Sequence, residues 1–258
     1  MPAARRSDTP GSGSPQEGPP FPAAVEAVNL VELEGVGVRG ADQVLHDITL
    51  AIGEREFVAV VGSHGAGKSA LLQAIAGVIP VTGRISFEGE LVTRSGPAAM
   101  ARLGVAYVPQ GRGSVRSLSV LDNLRLGAWT SRGSPDNAFA NVFELFPGLY
   151  DLRHRAAGRL SAAEQQTLGV ARALMAKPRL LLVDEPSLGV APGVAADLVR
   201  VLGALHARGT AIVVADQHPL LALAAADRGF VLDRGRLVRE GAAAELAADE
   251  SLRELAAP

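Results

Sequence analysis

The chain reads as an α/β domain built on a mostly parallel sheet, and three observations predict it. Short apolar runs of strand length recur between segments with helical spacing, the pattern of a sheet covered by helices on both faces. One such run, Phe57–Val61, leads directly into Gly62-Ser-His-Gly-Ala-Gly-Lys-Ser69, and Ala70-Leu-Leu follows. Another, Leu180–Val183, ends in the acidic pair Asp184-Glu185.

In chain order, strands are expected over Val28–Leu33 and within Val44–Ile52, antiparallel in character and placed at the edge of the main sheet. After the glycine-rich loop, a helix should run to about Ile75, stopped by Gly77 and Pro80. Gly83–Gly89 alternates like a short strand closed by a turn, and Val105–Val108 is cut off by Pro109. From Val120 to about Ala157 the pattern is helical and polar, broken at Ser131–Pro135 and Pro147-Gly148, and reads as a separate helical lobe. A helix over Ala162–Ala176 carries Leu168, Ala171, Leu174 and Met175 on one face. The strand Leu180–Val183 follows, then a helix after Pro192 with Val194, Leu198, Val201, Leu202 and Leu205 on one side. Gly209 ends it before the strand 211–215. Phe230–Asp233, the turn Arg234-Gly235 and Leu237-Val238 form a hairpin, and a last helix spans about Ala242–Ala256.

Composition bounds the function. The 258 residues are 48% apolar, so the chain is globular and long enough to bury a large core. Residues 1–27, rich in Pro, Gly, Ser and Ala, read as a flexible tail. With no cysteine, thiolate metal sites, disulfides and cysteine nucleophiles are excluded. The five histidines include no close pair with zinc-ligand spacing. A net charge of −2 argues against nucleic acid as a partner. No apolar run approaches the roughly 20 residues of a membrane span. No apolar segment follows Arg5 and Arg6, so no secretory signal is expected.

The chemistry lies in the loop and in the acidic strand end. Gly62, Gly65 and Gly67 let the backbone curl so that its N–H groups converge on phosphates at a helix start. Lys68 can reach the β/γ-phosphates of a nucleoside triphosphate, and the Ser69 hydroxyl can ligate Mg²⁺. Asp184, at the C-terminal end of its strand, can hold Mg²⁺ from the other side. Glu185 can polarise the water that attacks the γ-phosphate. Gln110 can offer an oxygen to Mg²⁺, or simply close a turn. Gln217 and His218 end the strand 211–215 and its Asp216, and either could bond the γ-phosphate. A plain surface histidine is the bland alternative for His218. Ser161 and Glu164 make a capping box for the helix that follows.

Together these residues closely resemble the ATPase subunits of ABC transporters, over approximately 29–257. The resemblance equates Gly62–Ser69 with the Walker A loop and Gln110 with the Q-loop. It likewise equates Leu160–Gln166 with the signature, Leu180–Glu185 with Walker B, Ser187–Pro192 with the D-loop and Gln217 with the switch position. It implies a P-loop nucleotide-binding domain over 28–258 with an antiparallel edge subdomain and a helical signature subdomain at about 112–177. ATP and Mg²⁺ are the implied cofactors. ATP contacts would come from Gly62, Ser63, His64, Gly65, Ala66, Gly67, Lys68, Ser69, Ala70, Arg39 and Gln110, and Ser161, Ala162 and Ala163 would contact the γ-phosphate of the ATP held by the opposite subunit. The metal would be held by Ser69, Gln110 and Asp184, and Glu185, Gln217 and Lys68 would be catalytic.

Gly104–Gly111, Leu118–Gly127, Pro186–Pro192 and Ala225–Leu232 are similar to the smaller ATPase subunit of branched-chain amino acid importers. Some relatives of that group serve urea or amides. The resemblance implies a cytoplasmic protein on the inner face of the cell membrane. Its partners would be two permease subunits, a second ATPase subunit and, indirectly, a solute-binding protein. Three departures stand out. Ala162 and Ala163 replace both signature glycines, Val38-Arg39 stands where an aromatic residue stacks on adenine, and His64 replaces the commoner Asn. A distinct second subunit with an intact signature is therefore the more economical partner. The rival function is an ATP-binding, weakly hydrolysing interaction or regulatory subunit.

Overall fold

The computed structural model describes residues 29–38, 44–111, 113–130, 135–250 and 252. The expected tail, 1–27, lies outside them. Strands β1 (Asn29–Val38), β2 (Leu45–Gly53), β4 (Thr82–Phe87) and β5 (Glu90–Leu91) form an antiparallel sheet in the order β2-β1-β4-β5. It is a sheet of its own rather than an extension of the main one. β1 runs five residues past the expected Leu33, because Val36 and Val38 are still buried and the register simply shifts at Gly35 and Gly37. β5 is too short and exposed to leave a sequence pattern.

The main sheet holds β3 (Phe57–Val61), β6 (Val105–Val108), β7 (Leu180–Asp184), β8 (Ala211–Asp216), β9 (Arg228–Asp233) and β10 (Arg236–Ala242). Its order is β10-β9-β3-β8-β7-β6, all pairs parallel except the terminal hairpin β9-β10. The C-terminal ends of β3, β7 and β8 therefore lie side by side.

Period-two alternation divides the sheet's side chains between two cores. Val58, Val60, Leu180, Leu182, Val213 and Phe230 pack with the antiparallel sheet and α1 (Lys68–Ile75). Phe57, Ala59, Leu181, Val183, Ile212 and Val214 pack in a second core with another group of helices. Those include α3 (Val120–Gly127), α4 (Pro135–Leu145), α5 (Pro147–Asp151), α6 (Ala162–Leu174) and α7 (Pro192–Ala207). Leu198, Leu202 and Leu205 of α7 are buried as its spacing predicts, whereas Val194 and Val201 are only partly covered.

Two helices carry no forecast. α2 (Pro97–Leu103) buries only Met100, so it has no apolar stripe to read, and α8 (Pro219–Leu223) is five residues long. Each begins at a proline, whose fixed φ suits the first helical position. Pro147 likewise opens α5 rather than merely interrupting the lobe. The last helix, expected over 242–256, is interrupted after α9 (Ala243–Ala248); Glu250 and Leu252 are helical again, and 251 and 253–256 lie outside the described residues. Ala242 is still the end of β10, and Asp249 is extended, at φ −73° and ψ 120°.

Candidate functional site

The loop from β3 to α1 is fixed by steric necessity. Gly67 is left-handed, at φ 107°, and a Cβ there would sit 2.5 Å from the Val44 carbonyl oxygen. At Gly62 a Cβ would meet the Leu232 carbonyl oxygen at 2.2 Å. Only glycine fits either place. The loop hugs the hairpin from behind, with Gly235 N–H donating to the Ala66 carbonyl at 2.9 Å. This leaves the start of α1, with its uncompensated N–H groups, pointing into a cavity of about 170 Å³.

That cavity gathers most of the expected residues. His64, Gly65, Gly67, Lys68, Ser69, Ala70, Gln110 and Glu185 line it, together with Val44. Gly62, Ser63 and Asp184 are bonded to its lining residues Lys68 and Ser69, and Ala66 belongs to the same loop. The Lys68 ammonium, 4% exposed, donates to the Gly62 and Ser63 carbonyls at 3.0 Å each and pairs with Glu185 Oε1 at 3.1 Å. Its three protons are thereby all engaged. Glu185 Oε2 is buried and has no hydrogen-bond partner among the described residues.

Asp184 is held from two sides. Ser69 Oγ donates to Oδ1 and the Tyr107 hydroxyl donates to Oδ2, both at 3.0 Å. Gln73 Nε2 reaches the Tyr107 oxygen at 3.5 Å. Burial pushes the Asp184 carboxyl above its ordinary range, opposed by these hydrogen bonds. Burial, then the neighbouring Asp184 charge, raises the Tyr107 phenol well above its usual value, so it remains a donor. Tyr107 and Gln73 were not foreseen. The available signal was a tyrosine inside an apolar parallel strand, whose hydroxyl must find a partner when buried.

Glu185 has a backbone φ of 48°, and its N–H donates to the Ala215 carbonyl at 2.7 Å. For a residue with a Cβ this left-handed conformation costs about 1–2 kcal/mol.

Other expected residues do not join this cavity. Gln217 lies beyond the end of β8 and is not among its lining. The capping box at α6 is present, with Glu164 Oε2 accepting from Ser161 N–H at 2.7 Å. Ser161, Ala162 and Ala163 are not among the lining of the Lys68 cavity, and Ala163 lines a largely apolar cavity of about 370 Å³ with Leu145, Leu149 and Leu198. That larger hollow brings together no cluster of catalytic groups. Val38 is buried and paired with Leu45, so it packs in the first core, while Arg39 lies outside the described residues. His218 is engaged inward, its Nδ1 at 2.8 Å from Ser187 Oγ. Only its Nε2 is left to meet a phosphate.

The sequence profile of ABC transporters matches residues 45–188. The chain belongs to that family. The ABC cassette is 36% identical over 217 residues to the Pseudomonas aeruginosa "High-affinity branched-chain amino acid transport ATP-binding protein BraG", covering 83% of this chain and 93% of that protein. It is equally 36% identical to the Rhodopseudomonas palustris "Phosphonates import ATP-binding protein PhnC 2", covering 86% of this chain and 82% of that one. The "Lipopolysaccharide export system ATP-binding protein LptB" of Escherichia coli is 29% identical over 83% of this chain and 90% of its own length. Among solved structures, a nucleotide-free ATP-binding cassette from an ABC transporter superposes with a TM-score of 0.76 at 25% identity, covering 89% of this chain and 99% of that one. The cassette is an ATP-hydrolysing enzyme coupled to transport.

The residues present fit ATP and Mg²⁺. Ser69 Oγ and the Asp184 carboxylate put hard oxygen donors side by side, the chemistry a small divalent cation requires. The cavity beside them is walled by Lys68 and the N–H groups at the start of α1.

Proposed function

We propose that the chain is the ATPase subunit of an importer for a small polar solute, branched-chain amino acids foremost. The convergence of Lys68, Ser69 and Glu185 on one cavity, with Asp184 bonded to Ser69, carries the ATPase half of this reading. The solute rests on likeness to BraG and on the four segments that resemble that group.

In this reading Lys68 exchanges Glu185 for the β/γ-phosphate oxygens, and the N–H groups of the loop hold the remaining charge. Ser69, Asp184 and Gln110 would hold Mg²⁺, which would supply positive charge against the phosphates. Glu185, freed from Lys68, takes a proton from the attacking water. As the new O–P bond forms, the bond between the γ-phosphorus and the bridging oxygen breaks, giving ADP and phosphate. Gln217 attends the γ-phosphate. Ser161, Ala162 and Ala163 would serve the nucleotide held by a second ATPase subunit.

The permease would dock at a groove of about 350 Å³ walled by Val78, Pro97, Tyr107, Pro109 (the residue before Gln110) and Leu126. Trp129, next to it in the chain, is 90% exposed. Such an aromatic on a rim is a typical anchor for a partner. No helix among the described residues is long and apolar enough to cross a membrane, in keeping with peripheral attachment at the cytoplasmic face.

Ala162 and Ala163 favour one second reading, an ATP-binding subunit that hydrolyses weakly and regulates a complex. Purification with its co-associating membrane proteins, followed by solute-stimulated ATPase assays, tests both. Stimulation by leucine, isoleucine or valine supports the importer. Stoichiometric ATP binding without stimulated turnover supports the regulatory subunit.

A further inference from the structure

We propose that Asp216 is a positioning residue for the ATPase reaction, knotting the segment after Glu185 to the segment that carries Gln217. The inference rests on the catalytic reading of Glu185 and Gln217 given above.

Asp216 ends β8 and is fully buried. Its carboxylate draws donors from two segments. From one, Ser187 Oγ donates to Oδ1 at 2.7 Å and Ser187 N–H to Oδ2 at 3.1 Å. From the other, His218 N–H donates to Oδ1 at 2.8 Å, and His218 Nδ1 lies 3.2 Å from the same oxygen. His218 Nδ1 also lies 2.8 Å from Ser187 Oγ.

Counting protons fixes the direction of each bond. The single Ser187 hydroxyl proton goes to the carboxylate, so Ser187 Oγ can only accept from His218. Nδ1 must therefore carry a proton, which serves both Ser187 and Asp216. The three side chains close a ring with every polar atom inside it paired.

Its place explains its use. Ser187 is two residues after Glu185, and Gln217 lies between two members of the ring. Glu185 is in a left-handed conformation, which persists only where its surroundings over-determine it. Its N–H is tied to Ala215, the residue before Asp216, and the chain beyond it is tied to Asp216 itself. The strained turn is thus clamped on both sides by consecutive residues of β8. Loss of the clamp lets Glu185 and Gln217 drift relative to one another, while the phosphate loop stays untouched.

The test uses the assembled transporter with Ser187→Ala, His218→Ala, the double variant, His218→Asn and Asp216→Asn. The side chain of His218 is about half exposed, so its variants leave the core intact and keep the proposal falsifiable where Asp216→Asn fails to fold. An asparagine amide nitrogen can stand where Nδ1 stands. Expected is a kcat lowered about ten- to a hundredfold in His218→Ala, as for a small misplacement of reacting groups, with the KM for ATP unchanged. His218→Asn should recover most of that loss. The double variant should be no worse than the weaker single one, as expected of groups acting as a unit. A normal kcat in His218→Ala, no rescue by asparagine, or losses that multiply would overturn the proposal. Glu185→Gln serves as the separate control. If its turnover is normal, the catalytic reading fails; if it is inactive while the ring variants are normal, only the clamp fails.

Discussion

Lys68 and Glu185 form a buried ion pair at 3.1 Å, with side chains 4% and 7% exposed. The cation that should bind phosphate and the carboxylate that should activate water thus satisfy one another in the nucleotide-free site. A buried charge without a partner is costly, so the pair is a resting arrangement that phosphate oxygens can replace on the lysine side. It also leaves Glu185 Oε2 without a hydrogen-bond partner among the described residues.

Glu185→Gln therefore has two expected effects. Turnover should fall by at least about a hundredfold, the low end of general-base contributions. ATP should bind at least as tightly, because a neutral amide competes less for Lys68. Equilibrium titration with ATP and single-turnover hydrolysis in the assembled complex measure both. Unchanged turnover removes Glu185 from the role of base.

The hydroxyl of Tyr107 offers a second test, since it donates to Asp184 Oδ2 and touches no expected substrate atom. Tyr107→Phe keeps the ring and strands that carboxylate oxygen. Denaturant unfolding of the nucleotide-free protein should show a loss of about 1–3 kcal/mol, the cost of leaving a buried polar group unsatisfied. A stability equal to the parent's would mean that Ser69 alone suffices to hold Asp184.

The glycine-rich loop and the Asp184-Glu185 strand end were legible in the sequence because their chemistry is local. Each needs a strand, a turn and specific residues within about ten positions. The main sheet was legible for a similar reason: strands buried on both faces appear as unbroken apolar runs, as at Leu180–Val183 and Ala211–Ala215. The N-terminal strands were legible as an antiparallel edge subdomain, but their closure into a sheet of their own was not, because pairing of β1 with both β2 and β4 is a long-range choice. Nor were α2 and α8, which bury too little to be periodic. Tyr107, Ser187 and Asp216 stayed hidden as site residues because their partners lie 77 and 29 residues away in the chain. The capping box of Ser161 and Glu164 was readable because its two residues are three apart in the chain.

Trp129, 90% exposed beside the groove near Gln110, should be an anchor for the permease. Trp129→Ala removes no buried contact, so the fold should keep its stability within about 0.5 kcal/mol. Association with the membrane subunits should weaken by about 2 kcal/mol or more, the threshold of an interface hot spot. Quantitative co-purification from detergent-solubilised membranes measures it. Full retention of the complex would move the docking surface elsewhere.

The altered signature makes the last prediction. Ala162 and Ala163 are the first residues of α6, directly after the Ser161 cap. Ala162 is exposed and Ala163 half-buried, so neither methyl group is needed by the core. In the proposed dimer the same backbone would approach the γ-phosphate of the opposite subunit, where each Cβ would crowd it. Fold and function therefore pull apart here. Glycine in the first turn should cost up to about 1 kcal/mol per site in helix stability, yet open the approach to phosphate. One competent composite site then needs this chain's Lys68, Ser69, Asp184 and Glu185 facing a partner's glycine-containing signature. The site formed by Ser161–Ala163 would be the weaker one, and a homodimer would carry the defect twice. ATPase activity should accordingly be low for the chain alone, high with a distinct partner, and raised in the isolated chain by Ala162→Gly/Ala163→Gly despite a lower unfolding midpoint. Activity as high alone as in the complex, and unmoved by restoring both glycines, would exclude the asymmetric arrangement and show that phosphate tolerates the two methyl groups.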